Sequence, residues 1–158
     1  MAKLLIGFLN VKDAPSISHR LMSWGLNHDI IHCELFFDEY LPNQRFASWN
    51  GSGVGFRSVG DLNSDFSKWI FYDLGSQHYN EALFVAQQLT GKGYDLKTAM
   101  LASAGVRNED DENFYCSEIC YHVMKKAGYQ LPQMSEYLVL PHEMEEMVNH
   151  YPRVYFNY

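Results

Sequence analysis

The chain changes its hydrophobic periodicity near residue 75, and this change limits the fold more than any other feature of the sequence. Apart from one short helical pattern at Ser16–Leu26, apolar segments of strand length occupy residues 3–73, and turn-forming residues such as Asn50–Gly53 separate them. From residue 79 onward, apolar residues recur with helical spacing. Strands followed by helices predict an α+β fold in which an antiparallel sheet meander packs against helices.

The predicted strands are Lys3–Asn10, Asp29–Phe37, Arg45–Trp49, Val54–Val59, Lys68–Asp73 and a final Arg153–Tyr158. The predicted helices are Ser16–Leu26, Tyr79–Thr90, Asp95–Ser103, Phe114–Ala127 and Pro141–His150. Asp38–Gln44 is expected to be a hairpin connection and Arg107–Asn113 a polar loop. There is no internal repeat or linker, so residues 1–158 are expected to form a single domain.

Composition and charge exclude several classes of protein. Apolar residues make up 47% of the 158 residues, which is typical of a globular chain, and the net charge of −7 argues against a nucleic-acid partner. The longest apolar segments, Leu4–Leu9 and Ile30–Phe37, are far shorter than a membrane span. No cleavage signal follows the N-terminal segment, so we expect no signal peptide and an intracellular, cytoplasmic protein, virion-associated if its source is a virus.

Three cysteines, Cys33, Cys116 and Cys120, are too few and odd in number for a disulfide scaffold. Cys116 falls in the first turn of the predicted helix Phe114–Ala127. Unpaired amides at a helix N-terminus stabilise a thiolate, the reactive form of cysteine. The spacing also places Cys116 at the head of the buried stripe of its helix, so a purely structural role as a small core residue is the alternative.

A nucleophilic cysteine needs a base, and His32 is the candidate among seven histidines. It lies within a predicted strand, where alternation puts His32 and Glu34 on one face and Cys33 on the other. The pair predicts a base with a carboxylate that orients it; an edge strand with a solvated face is the alternative. A zinc site from His32, Glu34 and His28 or Cys33 lacks HxxxH or CxxC spacing, so we predict no metal and no cofactor. A serine nucleophile is disfavoured because no GxSxG motif occurs.

Four segments together resemble the circularly permuted branch of the NlpC-type, papain-like superfamily, in which the histidine strand precedes the cysteine helix. In chain order they are Asp29–Leu35, Ala47–Arg57, Gly93–Leu96 and Phe114–Ile119. The resemblance covers about residues 3 to 128. The start of the cysteine helix, Tyr115-Cys116-Ser117-Glu118, is its most specific element, whereas Cys33 stands in a position where a cysteine is unusual.

The resemblance implies a role for each matching residue. Cys116 matches the nucleophile and His32 the general base. Glu34 or Ser48 would be the third, orienting member, and we favour Glu34. Tyr94 is expected to line the pocket, and the Cys116 amide to stabilise an oxyanion. Glu118 is a further candidate for a polar or pocket residue. Ser117 and Glu118 are also expected to be structural, with Glu118 capping the helix.

The expected activity is acyl transfer through a thiol-acyl intermediate, as in a cysteine peptidase or amidase, or in an acyltransferase. The substrate would be a peptide, a cell-wall peptide or a lipid carrying an amide or ester bond. A binding or structural module that retains the fold without catalysis is the alternative function.

Overall fold

The protein is built on a six-stranded antiparallel sheet, seen in a computed structural model that describes residues 1–11, 28–39, 44–49, 51–61, 66–94, 113–134 and 139–155. The five longer strands are β1 (Leu4–Asn10), β2 (Ile30–Phe37), β3 (Arg45–Trp49), β4 (Gly53–Arg57) and β5 (Trp69–Gly75). The sixth strand of this sheet is the short β8 (Arg153–Val154). Two further short strands, β6 (Gly93–Tyr94) and β7 (Asn113–Phe114), pair with each other in parallel and form a separate two-stranded sheet. Two 3-10 turns, Val59–Asp61 and Phe66–Lys68, lie between β4 and β5.

The strand order in the sheet is β4-β3-β2-β1-β5-β8. The predicted meander is confirmed for the first four strands. It is wrong for β5, which pairs with β1 rather than with β4, for example through Leu9 and Trp69. Strand patterns in a sequence show which residues face a core but not which strand lies alongside, so this crossing to the other side of β1 was not predicted.

Three helices lie in the described ranges: α1 (Tyr79–Leu89), α2 (Cys116–Ala127) and α3 (Pro141–Val148). They confirm three predicted helices, with small shifts at their ends. α2 begins two residues later than predicted, because Phe114 lies in β7 and pairs with Tyr94 of β6 instead of entering the helix, and α3 ends two residues earlier than predicted. The predicted helices Ser16–Leu26 and Asp95–Ser103 lie outside the described residues, as do parts of the predicted segments Asp38–Gln44, Arg107–Asn113 and Arg153–Tyr158.

The main core lies between one face of the sheet and the helices. Its fully buried members include Ile6, Leu35 and Phe46 from strands and Ile119 and Met124 from α2. The other face carries a separate cluster formed by Phe36, Trp69 and Phe71. Because both faces are covered, the central strands are apolar along nearly their whole length. The class is therefore α+β, as predicted, with an antiparallel sheet and helices.

A glycine in β1 keeps this second cluster tight. A Cβ at Gly7 would lie 2.7 Å from the Phe71 ring and 2.8 Å from the Phe36 ring, well inside van der Waals contact. The two rings therefore close over the backbone of the central strand at this position.

Among the helices of the described ranges, none combines the length and apolarity that crossing a bilayer requires.

Candidate active site

The N-terminus of α2 is built so that Cys116 is its first helical residue. Tyr115 has extended backbone angles and precedes the helix, and its N–H donates to Glu118 Oε2 at 2.8 Å. This bond confirms the predicted capping role of Glu118. The hydroxyl of Ser117 donates to the carbonyl of Val139 at 2.5 Å and ties the first turn to the segment before α3. Cys116 is thereby fixed at the positive end of the helix.

The buried stripe of α2 lies against β2. Cys116, Cys120, Val123 and Ala127 are all at most 5% exposed, as their spacing predicts. β2 and β3 pair through Leu35 with Phe46 and Phe36 with Arg45. Beyond these two pairs β3 continues along β4, so no described strand pairs with β2 at Cys33 on that side.

At this position the backbone of β2 contacts two thiols of α2. The Cys33 N–H donates to the sulfur of Cys116, and Cys120 Sγ lies 3.8 Å from the Cys33 carbonyl oxygen. The divergence of two strands thus brings the nucleophile candidate to the backbone of β2, next to His32. Sequence alternation alone did not predict these contacts, since they involve backbone groups.

His32 and Glu34 project from the same face of β2, as predicted, and they touch. Nε2 of His32 lies 2.9 Å from Oε1 of Glu34. Glu34 is 1% exposed, and β2 is an interior strand of the sheet, so the alternative of a solvated edge strand is wrong. An ionised carboxylate can only accept hydrogen bonds, so the proton between the two groups belongs to Nε2. Nδ1 is then the ring nitrogen that remains for the thiol of Cys116.

Two further residues hold Glu34, and neither was identified from the sequence. Arg45 binds both carboxylate oxygens, from Nε to Oε2 and from Nη2 to Oε1, at 2.7 Å each. The indole Nε1 of Trp49 donates to Oε1 at 3.1 Å. Arg45 is only 5% exposed, so the ion pair is buried. A single arginine in a strand that is otherwise apolar or uncharged was the available signal, because such a residue needs a carboxylate partner.

The electrostatics of the site follow from these contacts. Burial alone raises the pKa of Glu34, but the hydrogen bonds and charges of His32 and Arg45 outweigh it and lower the pKa to about 2. Burial alone lowers the pKa of His32, but the charge and hydrogen bonding of Cys116 and then of Glu34 raise it to about 10. Glu34 is therefore an anion at neutral pH, and His32 is held as a cation.

The thiol of Cys116 responds in the opposite direction. Burial raises its pKa, but a hydrogen bond from the Cys33 thiol, the charge and hydrogen bond of His32, and the Cys33 N–H together bring the pKa well below its usual value. Burial, followed by hydrogen bonding to Cys116 and Cys120, raises the pKa of Cys33. The geometry thus supports a thiolate on Cys116, an imidazolium on His32 and a neutral thiol on Cys33.

None of the described bonds joins the remaining predicted site residues, Ser48 and Tyr94, to His32. Ser48 is fully buried on the face of β3 opposite Arg45 and Trp49, and its Oγ makes no hydrogen bond within the described residues. Of the two candidates for the orienting member, Glu34 is the one bonded to His32. Tyr94, in β6, has its ring centroid 6.5 Å from that of Tyr115, the residue before the nucleophile candidate.

Within the described ranges, no three His, Cys, Asp or Glu side chains are grouped so as to hold a metal ion. No protein-family model matches the chain, and no curated protein matches it significantly. The assignment of a function therefore depends on the geometry of the site.

Proposed function

We propose that this protein is a cysteine hydrolase or acyltransferase that cleaves an amide or ester bond through a thiol-acyl intermediate on Cys116. The observation that carries the proposal is the chain of contacts from Cys116 to His32 to the buried Glu34. A buried anion held by Arg45 and Trp49 is a costly arrangement. It is accounted for if its purpose is to stabilise a positive imidazole beside a thiolate.

In the proposed reaction, Cys116 and His32 act in two steps: formation of the acyl-enzyme and release of the acyl group. The Cys116 thiolate attacks the carbonyl carbon, and the N–H at the start of α2 stabilises the oxyanion. His32 gives its proton to the leaving amine or alcohol as the tetrahedral intermediate collapses. It then takes a proton from the water or acceptor that releases the acyl group. Glu34 keeps the imidazole oriented and favours its charged form throughout.

The architecture is compatible with the proposed place among circularly permuted NlpC-type, papain-like proteins. A strand histidine precedes the cysteine helix in the chain, and that helix packs with its N-terminus against the histidine strand. Peptides, cell-wall peptides and lipids are the substrate classes we propose.

The proposal is tested by pH-dependent alkylation of the native protein, with each cysteine followed by peptide mass mapping. Cys116 is expected to react with iodoacetamide at about pH 6, where an ordinary thiol with a pKa of about 8.5 is almost fully protonated. Cys33 and Cys120 are internal controls and should react far more slowly. Replacing His32→Ala should remove the advantage of Cys116, because the imidazolium is its cationic partner.

The variant His150→Ala is the matched control, because it removes an exposed imidazole from the turn after α3. It should label like the wild type. If Cys116 reacts no faster than the other two thiols, or if His32→Ala changes nothing, the protein lacks the ion pair and a binding module becomes the better description. A positive result leads to p-nitrophenyl acyl esters, which should leave an acyl adduct on Cys116. Partition of that adduct between water and an added amine separates a hydrolase from a transferase.

A further inference from the structure

Cys33 is a buried nucleophilic group that the proposed reaction does not use. It lies in β2 between His32 and Glu34, and its side chain points to the opposite face, into the core cluster that also holds Cys120. The thiol of Cys120 lies 3.8 Å from the backbone carbonyl oxygen of Cys33. Its thiol donates a hydrogen bond to the sulfur of Cys116. All three cysteines of the chain are buried and free, and one of them is the proposed nucleophile.

We infer that Cys33 is a resolving thiol, which forms a reversible disulfide with Cys116 after a hydroperoxide has oxidised the nucleophile. The inference rests on the proposed thiolate at Cys116 and concerns the regulation of the same site. The disulfide would block acyl transfer, and a dithiol reductant would restore it. It would also protect Cys116 from irreversible oxidation.

The reaction balances with hydroperoxide as the sole oxidant. The Cys116 thiolate attacks one peroxide oxygen, the O–O bond breaks, and the departing hydroxide takes the proton of His32 to become water. Cys116 is then a sulfenic acid. The sulfur of Cys33 attacks it, the S–S bond forms, and the displaced hydroxide leaves as water with the Cys33 proton. Two thiols and one hydrogen peroxide thus give one disulfide and two waters.

Geometry selects Cys33 over Cys120 as the resolving thiol. Cys116 and Cys120 are one helical turn apart, and Cβ atoms at that spacing are about 5–6 Å apart, whereas a disulfide needs about 3.5–4.5 Å. Cys33 lies in a different element, so helical spacing does not hold its thiol away from Cys116, with which it shares a hydrogen bond. The burial of Cys116, which is 1% exposed, favours hydrogen peroxide as the oxidant. A small peroxide reaches such an atom more easily than a bulky disulfide reagent does.

The test treats the full chain with an excess of hydrogen peroxide, because a sulfinic acid consumes two peroxides per thiol, then blocks free thiols under denaturing conditions and maps linked peptides. The expected product is a Cys33–Cys116 cross-link with a loss of about 2 Da, reversed by dithiothreitol. In Cys33→Ala, the Cys116 peptide should instead gain about 32 Da, the mass of a sulfinic acid, which dithiothreitol does not reverse. Cys120→Ala should behave like the wild type.

A cross-link to Cys120, or sulfinic acid at Cys116 in the wild type as fast as in Cys33→Ala, would overturn the inference. The wild-type experiment does not depend on the variants folding. Failure of the proposed function is a separate result, because it shows in the alkylation profile without peroxide. A Cys116 that alkylates at low pH but forms no disulfide leaves the proposed function intact and removes only the resolving role of Cys33.

Discussion

The buried pair between Arg45 and Glu34 gives the sharpest prediction about the protein. In Arg45→Met the side chain keeps much of its volume but loses both 2.7 Å hydrogen bonds to the carboxylate. Removing one partner of a buried ion pair costs about 3–5 kcal/mol, because the other charge remains in a poorly solvated place. His32 and Trp49 still donate to Glu34, so we expect the lower end, about 3 kcal/mol. For a chain of this size, the melting temperature should fall by about 6–12 °C.

The matched control is Arg57→Met. Arg57 lies directly opposite Arg45 in the β3–β4 ladder, but it contacts the Trp49 ring and the Ser52 hydroxyl rather than a buried carboxylate. Its loss should cost about 1 kcal/mol or less. Urea unfolding followed by tryptophan fluorescence measures both variants under the same conditions.

The pH dependence provides a second check on Arg45→Met. The pKa of Glu34 is lowered from its usual 4.5 to about 2, so its contribution to stability is full above pH 4.5 and is lost as the pH falls through about 2. The difference between wild type and Arg45→Met should therefore shrink over that interval. Equal losses in Arg45→Met and Arg57→Met, or a difference that stays constant down to about pH 2, would refute the argument.

Three further predictions concern other parts of the site and fold. Glu34→Gln should slow Cys116 alkylation at about pH 6 by tenfold or more, because each unit by which the pKa of the Cys116 thiol rises lowers the thiolate fraction about tenfold. An unchanged rate would contradict the positioning role of Glu34. Glu118→Ala should lower the free energy of unfolding by about 1 kcal/mol through loss of the α2 cap, with Glu143→Ala at the α3 cap as its counterpart in the same urea titration. Gly53→Ala should cost about 1–3 kcal/mol more than Gly51→Ala. Both have positive φ, but a Cβ at Gly53 would lie 2.3 Å from a backbone oxygen and one at Gly51 would meet open space. Equal melting temperatures for Gly53→Ala and Gly51→Ala would contradict this steric argument.

The elements of this fold were predictable where the local pattern was strong. Strand β3 has the predicted bounds, and β1, β2 and α1 differ from them by a residue at an end. Their signals are local: apolar alternation, turn residues and helical stripes. The position of β5 beside β1 was not predictable in the same way, since any apolar strand can pair with any other.

The candidate site shows the same division. Cys116, His32 and Glu34 were identified because a helix start, a strand face and a pair two residues apart are local features. Arg45 was missed because its role depends on the alignment of β2 with β3, which places it diagonally opposite Glu34. The contact between Cys33 and Cys116 was missed because it depends on where β3 leaves β2, a consequence of three-dimensional packing rather than of residue spacing.

The Arg45–Glu34 pair also bears on how the sheet selects its register. β2 and β3 share two ladder pairs, too few to resist sliding by backbone bonding alone. A slip of β3 by one residue would turn Arg45 to the helix side and leave Glu34 behind with its charge uncompensated. We expect apolar residues at both positions to preserve stability but to admit alternative alignments, visible as faster amide exchange in β3. The two charges beside His32 are therefore also expected to fix the register of the strands around it.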